Sequence, residues 1–225
     1  MGERNGTTTG LMKIGTLLLA LFCLPLLNCK QNNENQFVFF LHNRFLEAHP
    51  ITAEHPEFGR VHYHEIIAAF EASGLQVISE QRNGNVNARN YAVGIVTQVD
   101  SLLKQGVLAK NITVVGTSKG GYIAQYVSTI ANNPDLNFVF IASFQDADIE
   151  NIPDINFCGN ILNIYERSDS FGVSALARKN SSRCELANFK EIELNTGLGH
   201  GFLFKPMKAW IKPTIQWAKG NYTLD

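Results

Sequence analysis

The segment from Ile112 to Ala124 constrains the fold more than any other part of the sequence. A β-branched apolar run leads into a Gly-x-Ser-x-Gly pentapeptide, Gly116 to Gly120, and helix-compatible sequence follows at once. This order predicts a strand, a sharp turn and a helix. Such a turn needs small residues on both sides of its central residue and exposes that residue at the strand tip. The pattern therefore predicts Ser118 as a nucleophile; the alternative is a turn that only joins two elements.

Apolar runs alternate with amphipathic segments along the rest of the chain. This alternation predicts an α/β fold, with a mostly parallel sheet and helices on both faces. In such a sheet the residues that follow the strands meet at one edge, where ligands bind. Besides the segment above, we predict strands at Gln36–Leu41, Leu75–Ser79, Asn137–Ala142, Asn160–Tyr165 and Phe189–Leu194, and helices near 61–72, 91–106 and 173–179.

Length and charge narrow the class of protein. A chain of 225 residues suits one domain with a full core. A formal net charge of −1 provides no field for holding nucleic acid, so no such partner is expected.

We predict an irregular loop at 45–60, and the connection 143–159 is too short for a large lid. His49, His55, His62 and His64 fall in a polar, proline-rich stretch. His62 and His64 with Glu65 are the one metal-ligating alternative, but no set of cysteines or carboxylates accompanies them at a metal-ligand spacing, so no metal is expected.

The N-terminal segment resembles an export signal. An apolar run from Ile14 to Leu27 is shorter than the ~20 residues that a membrane-spanning helix needs. The residues before Cys29 resemble a bacterial lipoprotein signal, although Asn28 replaces the usual small residue; Cys23 is a weaker candidate, and an ordinary secretory signal is the alternative. We expect a signal peptide at 1–29, a flexible linker at 30–36, a folded α/β domain at 37–225, and an exported protein anchored to the membrane of the cell envelope through lipid on Cys29.

A serine hydroxyl needs a histidine to take its proton, and that histidine needs a carboxylate to fix its tautomer. His200 lies in a glycine-rich loop after the last predicted strand, and no other histidine follows Ser118. Asp169 and Glu166 both follow the strand that ends near Tyr165. We favour Asp169 as the acid and keep Glu166 as the alternative. Asp146 and Asp148, after the preceding strand, are further options.

The oxyanion of an acyl-transfer reaction needs two backbone donors. The amide of Lys119, at the predicted helix start, is one candidate. The loop after the first strand offers Asn43 or Arg44 as the second. A plain strand-end loop is the alternative interpretation of Asn43 and Arg44.

Taken together, these motifs resemble the α/β-hydrolase superfamily and, more narrowly, a small uncharacterised bacterial group within it. The resemblance covers about 37–218, and Asn43 stands where relatives usually have glycine. It implies a serine esterase-like enzyme that acts on a small acyl substrate without a cofactor. Its marks are residues 41–44 with Glu47, and residues 77–82, 114–121, 164–169 and 196–201.

A second hypothesis is a non-catalytic lipoprotein that uses the same cleft to bind a ligand. Opposite charges at Glu80 and Arg82, which could also pair with each other, would then join Arg44 and Lys119 in a charged floor. Covalent labelling of Ser118 would separate this hypothesis from the hydrolase.

Cys158 and Cys184 remain once the signal region is set aside. Each precedes a predicted strand, so both fall at the amino edge of a parallel sheet. Export would place them in an oxidising compartment. We predict a disulfide between them; two separate buried thiols are the alternative.

Overall fold

The fold is described from a computed structural model for residues 35–224. The predicted signal segment, with Cys29, and most of the linker lie outside the described residues. A six-stranded sheet runs through the domain, with strand order β4-β1-β5-β6-β7-β8. All neighbouring strands in it are parallel, which confirms the predicted fold class. The strands are β1 Phe37–Leu41, β4 Gln76–Ile78, β5 Ile112–Thr117, β6 Asn137–Ile141, β7 Asn160–Glu166 and β8 Phe189–Leu194, and a separate antiparallel pair is formed by β2 Glu54–His55 and β3 Gly59–Arg60.

Helices cover both faces of the sheet, and each face has its own apolar core. One core contains Phe70 and Trp210, and the other contains Ile95 and Val127. The central strands β5 and β6 lie between the two cores and are buried throughout, which explains their continuous apolar sequence. No helix within residues 35–224 is long and apolar enough to cross a membrane. The helices are α1 Phe45–Ala48, α2 Tyr63–Glu71, α3 Ala88–Lys104, α4 Lys119–Ala131, α5 Asp148–Asn151, α6 Leu176–Ser181 and α7 Lys208–Ala218, with 3₁₀ turns at Ala109–Asn111 and Gly199–Phe204.

The segment 45–60 differs from the predicted irregular loop. It forms α1 and then a hairpin of β2 and β3. Gly59, the first residue of β3, has a φ of 73°, which lets the chain turn tightly where β3 begins. Aromatic stacking holds the hairpin closed, since the rings of His55 and Phe58 lie 4.6 Å apart, and Phe58 also packs on Phe204 at 5.4 Å. Each strand of this hairpin has only two residues, which is too short for a strand pattern to be visible in the sequence.

Cys158 and Cys184 form a disulfide, with Cα atoms 5.2 Å apart. Cys158 lies two residues before β7, at the amino edge of the sheet. The buried Cys158 backbone is also held by Ser128, whose hydroxyl donates to its carbonyl at 2.7 Å and accepts from its amide at 2.8 Å. The disulfide therefore joins the segment that follows α6 to a fixed point of the core.

Breaking this disulfide should destabilise the domain. The bridged cysteines are 26 residues apart in sequence, and closing a loop of that size in the unfolded chain corresponds to about 3.5 kcal/mol by the chain-entropy estimate. We expect urea unfolding of the oxidised protein to shift to a lower midpoint after reduction. The Cys158→Ser, Cys184→Ser double variant should match the reduced protein and should not respond to reductant. An unchanged midpoint on reduction, with both cysteines recovered as free thiols beforehand, would contradict the bridge.

Candidate active site

Ser118 lies in the turn between β5 and α4. Its backbone angles, φ 51° and ψ −120°, are strained for a residue with a side chain. Close packing explains why glycines flank it: a Cβ on Gly120 would lie 2.0 Å from the Leu41 carbonyl oxygen, and a Cβ on Gly116 would lie 2.2 Å from the Gly120 carbonyl oxygen. The turn therefore holds Ser118 at the carboxyl edge of the sheet, against the end of β1.

The structure brings Ser118, His200 and Asp169 together. Ser118 Oγ lies 2.9 Å from His200 Nε2, and His200 Nδ1 lies 2.7 Å from Asp169 Oδ2. The carboxylate can only accept, so Nδ1 carries the proton and Nε2 accepts from the serine hydroxyl. Asp169 is 6% exposed, and its other oxygen accepts from the Phe171 amide at 2.9 Å, which fixes the carboxylate plane.

Glu166, the alternative acid, is fully buried and bonded elsewhere. Its Oε2 accepts from the amide and the hydroxyl of Thr196, each at 2.8 Å, and its Oε1 accepts from the Ser168 hydroxyl at 3.0 Å. Burial alone would raise the pKa of Glu166, but the hydrogen bonds from Thr196 and Ser168 outweigh it and lower the pKa to about 2. Glu166 therefore joins the loop that carries Asp169 to the loop that carries His200.

The further options for the acid contact other groups. Asp148 is buried and accepts from the hydroxyl of Tyr122 at 2.6 Å and from the amide of Gln145 at 2.8 Å. Asp146 is exposed. The carboxylate that contacts His200 is that of Asp169.

Replacing Glu166 by Gln should lower stability in a pH-dependent way. The pKa of Glu166 is about 2 in the fold against an ordinary 4.5, so its ionised form stabilises the fold fully above pH 4.5. That contribution is lost as the pH falls from 4.5 towards 2. At pH 7 we expect Glu166→Gln to reduce the free energy of unfolding by ~1.5–3 kcal/mol, because an amide cannot accept the same set of bonds.

The measurement is urea unfolding of both proteins between pH 7 and pH 3. The exposed Glu193, which pairs with Arg167 at 2.8 Å, offers a matched control, and Glu193→Gln should change stability little. A stability gap for Glu166→Gln that stays constant from pH 7 to pH 3 would contradict the prediction.

The residues of the predicted oxyanion donors line the cavity that contains Ser118. Lys119 is the first residue of α4, and amides of a first helical turn have no partner within the helix. Asn43 and Arg44 line the same cavity as Ser118. Their peptide planes are held from behind, since Arg82 Nη2 donates to the His42 carbonyl and the His42 ring contacts the Asn43 carbonyl at 2.7 Å. Because trans peptides point N–H away from C=O, these bonds fix the directions of the Asn43 and Arg44 amides.

The protonation of His42 follows from its partners. Its Nε2 accepts from the Arg82 amide at 2.7 Å, so Nδ1 carries the proton and donates to the Asn43 carbonyl. Burial, with the charge of Arg82, lowers the pKa of His42 to about 4. The ring is therefore neutral near pH 7, and its two hydrogen bonds fix it between the Asn43 carbonyl and the Arg82 amide.

A buried charge cluster beside Ser118, which sequence reasoning did not identify, joins α1, the start of α4 and the loop after β4. Glu47 Oε1 accepts from Arg82 Nε at 2.9 Å, and Glu47 Oε2 accepts from Lys119 Nζ at 2.5 Å. The side chains of Glu47 and Arg82 are 2% and 1% exposed, and that of Lys119 is 16% exposed. Lys119 also donates to Asn85 Oδ1 at 3.1 Å. The Glu47 carboxylate thus binds two cations. Arg82 and Lys119 are 35 and 72 positions away from it in sequence, so no sequence pattern indicates the cluster.

The charged floor predicted for the ligand-binding hypothesis is not formed by all four of its residues. Glu80 and Arg82 do not pair with each other. Glu80 accepts from the Tyr91 hydroxyl at 2.5 Å, while Arg82 is buried against Glu47 with its guanidinium 5.5 Å from the centre of the Tyr91 ring. Of the four residues in that hypothesis, Arg44 and Lys119 line the cavity beside Ser118, and Glu80 and Arg82 do not.

The cavity at Ser118 has a volume of about 580 Å³ and mostly apolar walls. The hairpin partly covers it, since Phe58 lies 6.4 Å from the His200 ring between centroids, and Phe171 lies 5.2 Å from it on another side. Tyr122 completes the wall next to Ser118. A larger depression of about 830 Å³ lies near the disulfide and shares no lining residue with this cavity. Ser118, His200 and Asp169 are not among its lining residues.

The four histidines of the predicted polar stretch contact aromatic or acidic neighbours. His49 stacks on Phe45 with ring centres 4.2 Å apart, and His55 stacks on Phe58. His62 Nδ1 lies 3.3 Å from Glu65, and the His64 ring lies 5.4 Å from the Tyr63 ring. Within residues 35–224, no three His, Cys, Asp or Glu side chains are arranged to hold a metal ion.

Comparisons with known proteins identify the fold. No protein-family model and no curated protein matches the sequence. Among solved structures, an arylesterase is 14% identical to this chain, with a TM-score of 0.57; the match covers 84% of this chain and 76% of the arylesterase. An esterase from Rhizomucor miehei is 11% identical, with a TM-score of 0.55, and the match covers 86% of this chain and 77% of the esterase. A structure described as a YdeN-like hydrolase from Pectobacterium atrosepticum is 10% identical, with a TM-score of 0.51, and the match covers 87% of this chain and 97% of the hydrolase. At these identities the likeness shows an α/β-hydrolase-like fold.

Proposed function

We propose that the protein is a serine hydrolase that cleaves small ester-like acyl substrates. The observation that supports this most directly is the unbroken hydrogen-bonded chain from Ser118 through His200 to Asp169 on a strained strand–helix turn. Each member has the partner that its role requires, and a cavity with apolar walls opens at the serine. The structural neighbours of the same fold include esterases, which is consistent with the proposal.

The chemistry follows from the positions of the protons. Ser118 Oγ attacks the acyl carbon while its proton passes to His200 Nε2, and the carbonyl electron pair moves to oxygen. The amide of Lys119, with that of Asn43 or Arg44, donates to the resulting oxyanion. Collapse of this intermediate breaks the bond to the alcohol, which leaves with the proton from His200. Water then repeats the attack on the acyl-enzyme, and the acid is released.

Covalent labelling tests the proposal. A fluorophosphonate probe should phosphonylate Ser118 with loss of fluoride, and peptide mapping should place the adduct on that residue. The labelled protein should lose turnover of short p-nitrophenyl esters in proportion to labelling. A purified, folded and oxidised protein that neither labels nor hydrolyses a panel of short esters would contradict the proposal.

We further propose that the protein is exported and anchored by lipid on Cys29. The Cys158–Cys184 disulfide supports export, because such bonds persist in oxidising compartments. In bacterial cells that express the full chain, a labelled fatty acid should be incorporated into the wild type and not into Cys29→Ser. Cys23→Ser serves as the matched control and should incorporate it normally. Equal labelling of wild type and Cys29→Ser would overturn the anchoring.

A further inference from the structure

We infer that the substrate carries an anionic group, bound by Arg44 at the mouth of the cavity, in addition to its scissile ester. The inference rests on the proposed function and names the class of substrate for that site. Arg44 is exposed, lines the cavity beside Ser118, and forms no ion pair with any residue in 35–224. A guanidinium offers paired donors that match a carboxylate or a similar oxyanion.

The charge balance of the cavity points the same way. Its lining, drawn from the described part of the chain, contains the cations Arg44 and Lys119 and no aspartate or glutamate. Lys119 is only partly compensated, because Glu47 also holds Arg82. The nearby carboxylates of Asp169 and Asp148 lie behind the wall, bonded to the lining residues His200 and Tyr122, and neither of them lines the cavity. A cationic ligand would meet unfavourable charge here, whereas an anionic ligand would be attracted.

The walls determine what connects the two ends of the substrate. Between Ser118 and the cavity mouth they are mainly aromatic, with Phe45, Phe58 and Phe171 among them. Such walls favour an apolar linker between the ester and the anion. The expected substrate class is therefore an ester with an apolar body and a terminal anionic group, as in the hemiester of a dicarboxylic acid.

Matched esters test this inference. We would measure kcat/KM for the mono-p-nitrophenyl esters of adipic, pimelic and suberic acids, each against the ester of equal length that ends in a carboxamide. The two members of a pair differ little in shape and leaving group but differ in charge. For at least one length the carboxylate should be preferred on the order of tenfold, as expected for a hydrogen-bonded ion pair. The preference should shrink as salt is added.

Variants assign the preference to Arg44. Arg44→Gln should remove most of the carboxylate preference, and Arg44→Lys should keep part of it. A general disturbance of the loop would instead lower kcat/KM for both esters of a pair alike. Arg60→Gln is the control, since Arg60 pairs with Glu65 and lies outside the cavity lining, and it should keep the wild-type preference. Replacing the terminal carboxylate by a sulfonate or a phosphonate distinguishes which anion is preferred.

Binding gives a readout that does not depend on turnover. Calorimetry with Ser118→Ala and the methyl esters of the same pairs should again show tighter binding of the carboxylate. Turnover of the carboxamide esters without any preference for the carboxylates would overturn this inference and leave the hydrolase assignment intact. Absence of both labelling and turnover would contradict the hydrolase, and equal binding of both methyl esters would still overturn the anion site.

Discussion

Ser118→Ala should lose nearly all turnover of short acyl esters, with kcat reduced by roughly 10⁴- to 10⁶-fold. The side chain removed is the one whose oxygen lies 2.9 Å from His200 Nε2, so no nucleophile remains for the first step. Residual activity would come from the oxyanion donors and from substrate binding. Because the two residues act in one step, the Ser118→Ala, His200→Ala double variant should be about as slow as either single variant.

Controls separate lost chemistry from lost folding. Alanine has to adopt the same strained backbone angles as Ser118, so unfolding midpoints of variant and wild type should be compared alongside the kinetics. Ser101→Ala, an exposed change on α3, should keep wild-type kcat. Turnover by folded Ser118→Ala within tenfold of wild type would show that the nucleophile is another group.

The fold was predictable because its signals are local. The buried strands are continuous apolar runs, and the glycines around Ser118 are needed where β5, α4 and the end of β1 approach within contact distance. In a parallel sheet, the ends of β5, β7 and β8 meet at one edge. For that reason Ser118, Asp169 and His200 could be proposed as partners from their order alone.

Other features depend on contacts that sequence does not reveal. Glu47 bonds to Arg82 and Lys119, which lie 35 and 72 positions away, and no periodicity links the three. The hairpin of β2 and β3 is only two residues long on each side, so its aromatic contacts give no strand pattern. Glu166 and Asp169 are close competitors in sequence because both lie at the end of the same strand, of which Glu166 is the last residue in the structure. What separates them is direction, as Glu166 bonds to Thr196 and Asp169 bonds to His200.

That difference in direction leads to the second large effect. Asp169→Asn should reduce kcat on the order of 10⁴-fold while leaving the fold intact. An asparagine amide can donate to His200 Nδ1, which moves the imidazole proton to Nε2. In that tautomer Nε2 cannot accept the proton of Ser118, although the three side chains keep their positions. The measurement is kcat at pH 7 on one short ester, with labelling by the fluorophosphonate probe as a second readout.

Glu166→Gln is the decisive companion to Asp169→Asn, because it makes the same chemical change at the other candidate acid. It weakens the contact between Glu166 and Thr196, which joins the loop of Asp169 to the loop of His200, but it leaves the Asp169–His200 hydrogen bond in place. We therefore expect a loss of stability and a fall in kcat of about tenfold or less, since the His200 tautomer is unchanged. The reverse ranking, a larger fall in kcat for folded Glu166→Gln than for Asp169→Asn, would identify Glu166 as the acid. The acid sets the tautomer of His200, so its amide variant should stop proton transfer at an unchanged unfolding midpoint. Glu166, if it only holds the loop, should instead lower the midpoint and leave most of kcat, so the two variants, compared by kcat and by midpoint, distinguish the acid from the residue that holds its loop.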